Sequence, residues 1–141
     1  MATRTQPDML LLGLVFIAAF VGSGLPFWVT PYARIGEQTW AIAALVVVLP
    51  LAAGLRLTGV AGLLATVTIL PAAMLAANAV RIAVDTGVDP TSHNLWPLEL
   101  ILTLVAGLAA AVAGFVIGTL IAGALTAIRR CAATMAGNAP L

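Results

Sequence analysis

Four long apolar runs, separated by the few places where charge and turn residues collect, dominate the pattern of hydrophobic and polar positions along the chain. A hydrocarbon layer of about 30 Å calls for about 20 such residues in a helix. The first run covers about 9–28, carries no charge, and ends in Gly22, Ser23, Gly24 and Pro26. The second, from Trp40 to Leu55, extends to 39–57 if Thr39 and Leu57 are included and Arg56 reaches toward headgroups. The third, 60–84, is interrupted only by Asn78 and Arg81 near its far end. The fourth, 98–128, is roughly 46 Å long as a helix, so it tilts, kinks or projects beyond the bilayer. No run alternates with period two, and each is about twice the length of a membrane strand, which excludes a closed barrel. The expectation is all-α: an integral membrane four-helix bundle, one domain over 1–141, with external loops at 29–38 and 85–97.

Pro50 and Pro71 fall inside the second and third runs, where each removes a backbone donor, so local kinks are expected. The link Arg56-Leu57-Thr58-Gly59 is short enough to make the second and third helices antiparallel neighbours. Counting arginines sets the orientation as N-in/C-in. Arg4, Arg56, Arg129 and Arg130 then lie inside, with Arg34 and Arg81 outside. Glu37, Asp85, Asp89 and Glu99 are external on this reading and only Asp8 is internal. The first run is expected to be a retained helix rather than a cleaved leader, because Gly22-Ser23-Gly24 is a poor match to an A-x-A site. In a bacterium this places the chain in the inner membrane.

Composition makes the same point from a different side. Of 141 residues 62% are hydrophobic and 8% charged, where soluble domains average about 25% charged. A net charge of +1 offers no field for nucleic acid. The single Cys131 forms no intramolecular disulfide.

Several chemistries lack their residues. No ionisable side chain falls near the middle of any run, which argues against ion-coupled transport. It also separates the chain from the small four-helix multidrug exporters, which depend on a membrane-embedded Glu in their first helix. The one histidine, His93, lies in a loop, which argues against intramembrane haem ligation and, with one Cys, against a structural zinc site. Gly22-Ser23-Gly24 is half of a nucleophile elbow with no second glycine at the needed spacing. No catalytic residue, metal or cofactor is therefore expected.

The informative segment is Asn78 to Glu99. Asn78, Arg81 and Asp85 share one helix face, and Arg81 and Asp85 form an i, i+4 pair. Gly87 and Asp89-Pro90 mark a helix stop and turn, Pro97 suits the first position of a new helix, and Glu99 lies in its first turn. Arg81, Asp85, His93, Asn94 and Glu99, with Asn78, form a candidate polar cluster at the external end. One reading makes it a site for a ligand headgroup or a partner's loop. The other has Arg81 neutralised by Asp85 or Glu99 so that two helices can close. Trp28, Trp40 and Trp96 are candidate interface anchors, and the loop from Pro26 to Trp40 is aromatic and proline-rich.

The fourth run carries Ala106, Ala110, Gly114, Gly118 and Ala122 at i+4 intervals, including a G-x-x-x-G motif. Small residues on one face let another backbone approach closely, within the bundle or from a second subunit.

The leading expectation is a noncatalytic accessory or assembly subunit of a larger inner-membrane complex, with membrane lipids and other subunits or a second copy as partners. In size and helix count the chain is similar to the small membrane subunits of tripartite solute transporters, a likeness that no motif carries. One alternative is a small-solute transporter component or pore subunit, with Thr66, Thr68, Thr103 and Thr119 along a path. Another is a protein that binds a lipid or quinone headgroup at the external cluster.

Overall fold

A computed structural model describes residues 6–31 and 37–137, the side chains of 6–8, 37–38 and 136–137 excepted. Arg4 and Arg34, and the side chains of Asp8 and Glu37, lie outside that description, so part of the charge count behind the orientation has no structural counterpart.

The described residues are helical, with no strand among them. Helix α1 is Gln6–Val29, α2 is Glu37–Ile42, and a π-helical segment Ala43–Val48 joins it to α3, Leu49–Thr58. Helix α4 is Leu63–Val88 and α5 is Trp96–Gly137. Four stretches are long and apolar enough to cross a membrane: Met9–Val29, Thr39–Thr58, Leu63–Val88 and Trp96–Met135. The second is the composite of α2, the π-helical segment and α3. Their outward surfaces are leucine, isoleucine and valine, among them Leu14, Val46, Leu64 and Val105, all exposed. That suits a chain whose solvent on this face is hydrocarbon rather than water.

The two prolines behave differently. Pro50 has no N–H to give the carbonyl four residues back, and the helix meets it with a wide turn whose last bond runs from the Leu49 N–H to the Ala44 carbonyl, five residues apart. Pro71 lies fully buried within α4, which continues unbroken as α-helix around it. Gly59 ends α3 in the left-handed region at φ 72°, a conformation that glycine adopts without the Cβ penalty.

Packing order departs from the expectation for the second and third spans. The short link does reverse the chain, yet α3 packs chiefly on α5, while α4 packs on α5 and on α1. Helix α5 is seated between them because its inward face is nearly free of side chain. A Cβ at Gly107 would lie 3.2 Å from the Pro71 Cα, and one at Gly118 would lie 2.7 Å from the Ala53 carbonyl oxygen. At Gly114 the Cβ would collide with the Leu49 carbonyl and the Ala52 methyl. These close approaches are how helices gain dispersion contact where apolar burial gives no net drive. The core beneath is small and apolar, built on Phe27, Val48, Ala52, Leu70, Met74, Ala110 and Ala111.

Helix α5 has 42 residues, about 63 Å, and outruns the bundle. Arg56 at the end of α3 donates from Nε to the Thr119 hydroxyl at 2.9 Å and lies over the Phe115 ring, 5.5 Å from its centroid. Beyond Thr119 every residue to Met135 is exposed except the partly covered Ala122.

Candidate functional site

The opposite end of the bundle, where α1 and α4 finish and α5 begins, holds Arg81, Asp85, Asp89, His93 and Glu99. Helix α4 runs to Val88 rather than stopping at 84, so Asp85 is a helical residue and the connection shortens to Asp89–Leu95. The i, i+4 pairing of Arg81 with Asp85 supports that last turn. Asp89 then closes it, its N–H bonded to the Asp85 carbonyl at 2.8 Å.

Within the connection Asp89 Oδ1 accepts from the Thr91 hydroxyl at 2.7 Å and the Thr91 N–H at 2.9 Å. This Asx turn brings the Ser92 N–H to the Asp89 carbonyl at 3.0 Å. These Thr91 bonds, the hydroxyl's first, hold the Asp89 carboxyl below its ordinary value of 3.8. A depressed folded-state value means that the contribution to the turn is complete above 3.8 and fades as pH falls through the lower folded value. Carboxyl-carbon NMR is expected to show Asp89 titrating below 3.8, and Thr91→Val to return it part of the way, since the backbone bond remains.

The turn delivers His93 into the bundle in the left-handed region at φ 55°, with its ring fully enclosed. A non-glycine residue there carries a conformational cost of about 1 kcal/mol, and the contacts of the imidazole offset it. Its Nε2 lies 2.9 Å from Asp85 Oδ2, and its Nδ1 lies 2.8 and 3.1 Å from the Glu99 oxygens. Asp85 Oδ2 also accepts from Arg81 Nε. Arg81 Nη1 donates to the Phe27 carbonyl at 2.8 Å and the Trp28 carbonyl at 3.1 Å. These belong to the last turn of α1, where carbonyls lack helical partners and a cation is favoured. A single chain of polar contacts thus runs from α1 through Arg81, Asp85 and His93 to Glu99 on α5.

A second buried pair extends it inward. Asn78 Nδ2 donates to the Thr103 hydroxyl at 2.7 Å, and that hydroxyl donates to the Glu99 carbonyl at 2.7 Å. Neutral imidazole has one N–H and one lone pair, whereas ionised carboxylates only accept. With a carboxylate oxygen at each ring nitrogen, the geometry requires a further proton, on the ring or on one carboxyl. With that proton the charges of Arg81, Asp85, His93 and Glu99 sum to zero.

Two hollows flank the chain of contacts. One, of about 480 Å³, is walled by Trp28, Val80, Arg81, Val84 and Asp85. The other, of about 600 Å³, lies between α4 and α5 against Ile82, Thr86, Ser92, His93, Asn94 and Trp96. Among the described residues no group of three His, Cys, Asp or Glu is arranged to hold a metal ion.

Of the six polar residues that the sequence marks as a cluster, five join one network: Asn78, Arg81, Asp85, His93 and Glu99. Asn94 stays exposed on the rim of the larger hollow. Glu99 faces His93, and Arg81 takes Asp85 instead. Thr103, which the sequence suggests only as a pore-lining hydroxyl, is the link to Asn78. The i+4 step from Glu99 to Thr103 is a usable signal of that role. The other three threonines also bond the carbonyl four residues back; Thr66 is buried, and Thr68 and Thr119 are exposed.

Trp28 is half-buried, donates from Nε1 to the Ala77 carbonyl at 3.2 Å and meets Phe20 edge to face. Trp40 is half-buried with an enclosed Nε1, while Trp96 is half exposed. The ladder on α5 divides: Ala110, Gly114 and Gly118 are buried, and Ala106 and Ala122 only partly covered. The buried positions of α5 are Glu99, Thr103, Gly107, Ala110, Ala111, Gly114 and Gly118, so the polar network and the close helix contacts lie on one continuous face. Comparison with family models, curated proteins and solved structures returned no match.

Proposed function

We propose that this chain is a noncatalytic, multi-pass protein of the bacterial inner membrane, N-in/C-in, that holds the headgroup of an amphiphile at the outer end of its bundle. The observation that carries this reading is the siting of the network. Arg81 and Asp85 wall one hollow beside the exposed apolar side chains of Val80 and Val84, and His93 of the same network lines a second. Closing two helices needs no such group, since well-packed apolar residues serve as well as a buried ion pair or better. Ionisable residues set into apolar spans are expensive and are placed where a function uses them. A noncatalytic role is favoured because both nitrogens of His93 already face carboxylates, leaving neither to exchange a proton with a substrate.

The test is native mass spectrometry of the wild-type chain, stripped of lipid in detergent and then offered a total membrane lipid extract that includes quinones. One tightly retained amphiphile is expected, and its retention is expected to fall in Arg81→Gln. Wild-type protein that rebinds nothing above the background of a detergent-solubilised control helix bundle would sink the reading.

A second reading, an accessory subunit of a larger complex, keeps one supporting observation. The G-x-x-x-G face that motivated it is occupied by α3, but the stretch of α5 after Thr119 leaves Leu120, Ile121, Leu125 and Ile128 exposed among the described residues. Mild purification that returned a lone monomer would count against that reading.

A further inference from the structure

On the Trp28 side of the network, the two charged side chains each keep one polar atom uncommitted. Arg81 has five N–H donors. Its Nε serves Asp85 and its Nη1 serves the Phe27 and Trp28 carbonyls, while Nη2 has no partner among the described residues. Asp85 receives Arg81 and His93 at Oδ2, and its Oδ1 accepts nothing among the described residues. Both side chains line the 480 Å³ hollow and retain 13% and 21% exposure.

From this arrangement we infer that the hollow binds the headgroup of a zwitterionic aminophospholipid. The inference rests on the headgroup reading above and names its ligand. Phosphate oxygens accept from Arg81 Nη2, the ammonium donates to Asp85 Oδ1, and the acyl chains run over Val80 and Val84, which are 45% and 59% exposed.

Charge decides among the amphiphiles. Arg81 is already matched by Asp85, so a headgroup that is only anionic brings its charge beside the Asp85 carboxylate, and one that is only cationic brings it beside Arg81. A quinone has two acceptors and nothing to give Oδ1. A headgroup with both signs satisfies both atoms and adds no net charge. Residues four apart on a helix sit about 5–6 Å apart at Cβ, which suits a phosphate and an ammonium separated by two carbons. The larger hollow does not compete for this ligand: its uncommitted polar groups include the enclosed Ser92 hydroxyl and the Asn94 amide, both neutral.

The experiment is a titration of the delipidated full chain, by native mass spectrometry, with phosphatidylethanolamine, phosphatidylcholine and phosphatidylglycerol of identical chains, and with inorganic phosphate alone. Phosphatidylethanolamine is expected to bind about tenfold tighter than either other lipid, the scale of one charge-assisted hydrogen bond. Phosphatidylcholine has the same charges but no N–H for Asp85, so it isolates that bond. In Asp85→Asn the preference over phosphatidylglycerol is expected to disappear while both lipids still bind. Should that variant not fold, the wild-type panel decides alone. Phosphatidylglycerol binding as tightly as phosphatidylethanolamine would overturn the zwitterion, phosphatidylcholine binding as tightly would overturn the ammonium bond to Asp85, and either result would leave the headgroup reading standing. Inorganic phosphate binding as tightly as the lipids would overturn a lipid source, and no binding by any of them would overturn the phospholipid, with the lipid-extract experiment above deciding the headgroup reading.

Discussion

Replacing His93 by Ala is expected to cost about 3–5 kcal/mol of folding free energy, the range for removing one partner from a buried charged pair. Among the described residues the imidazole is the group that faces both Asp85 and Glu99, at 2.9 and 2.8 Å, and it has no exposed surface of its own. Its loss leaves the two carboxylates without the group that lies between them. It also unties the connection Asp89–Leu95 from α4 and α5 together, because the turn reaches the bundle through this side chain. Reversible unfolding in mixed micelles measures the effect. The cost is expected to shrink when Glu99→Gln is already present, since one of the two charges is then gone, and that coupling separates an electrostatic role from cavity formation. A loss under about 1 kcal/mol, within the range of an ordinary net hydrogen bond, would show that the network does not tie this end of the bundle.

Gly114→Leu is expected to be comparably damaging for a steric reason. Even a methyl at this position collides with the Leu49 carbonyl, which is backbone and has no rotamer to escape into. Gly114→Ala is expected to lose about 1–3 kcal/mol, as for added methylenes in a packed core, and leucine more, because α3 and α5 must separate. Gly123, on the same helix but with nothing within 4 Å of its Cβ direction, supplies the control. Gly123→Ala is expected to be neutral or to gain up to about 1 kcal/mol of helix propensity. The contrast also bears on the subunit reading. If Gly114 contacted another chain instead of α3, the substitution would alter oligomer distribution and leave the unfolding of the monomer unchanged.

The charged network is partly legible in the amino-acid sequence. Arg81 and Asp85 are four residues apart in a helical run, and helical geometry alone makes such residues neighbours. Asn78 falls on the same face for the same reason. The partner of Glu99 is not legible there. Sequence spacing pairs Arg81 with Asp85 and leaves the partner of Glu99 open, and that place is filled because His93 adopts φ 55° and its ring enters between Asp85 and Glu99. A backbone conformation that most residues avoid is set by the whole turn, from the Asp89–Thr91 bonds to the Trp96 N–H on the His93 carbonyl at 2.9 Å. No local residue preference encodes it.

Hydropathy alone determines the four apolar helices, because the length of an uncharged run is a direct physical measure of what can cross about 30 Å of hydrocarbon. It also locates the small residues of α5 and the polar stretch from Asn78 to Glu99. What lies against each face is decided only in three dimensions. The short link Arg56-Leu57-Thr58-Gly59 suggests that the second and third spans pair, yet α5 packs on both α3 and α4 far more than these pack on each other. The reason is that close packing in an apolar solvent rewards the face with the least side chain, and Gly107, Gly114 and Gly118 give α5 that face toward both helices at once.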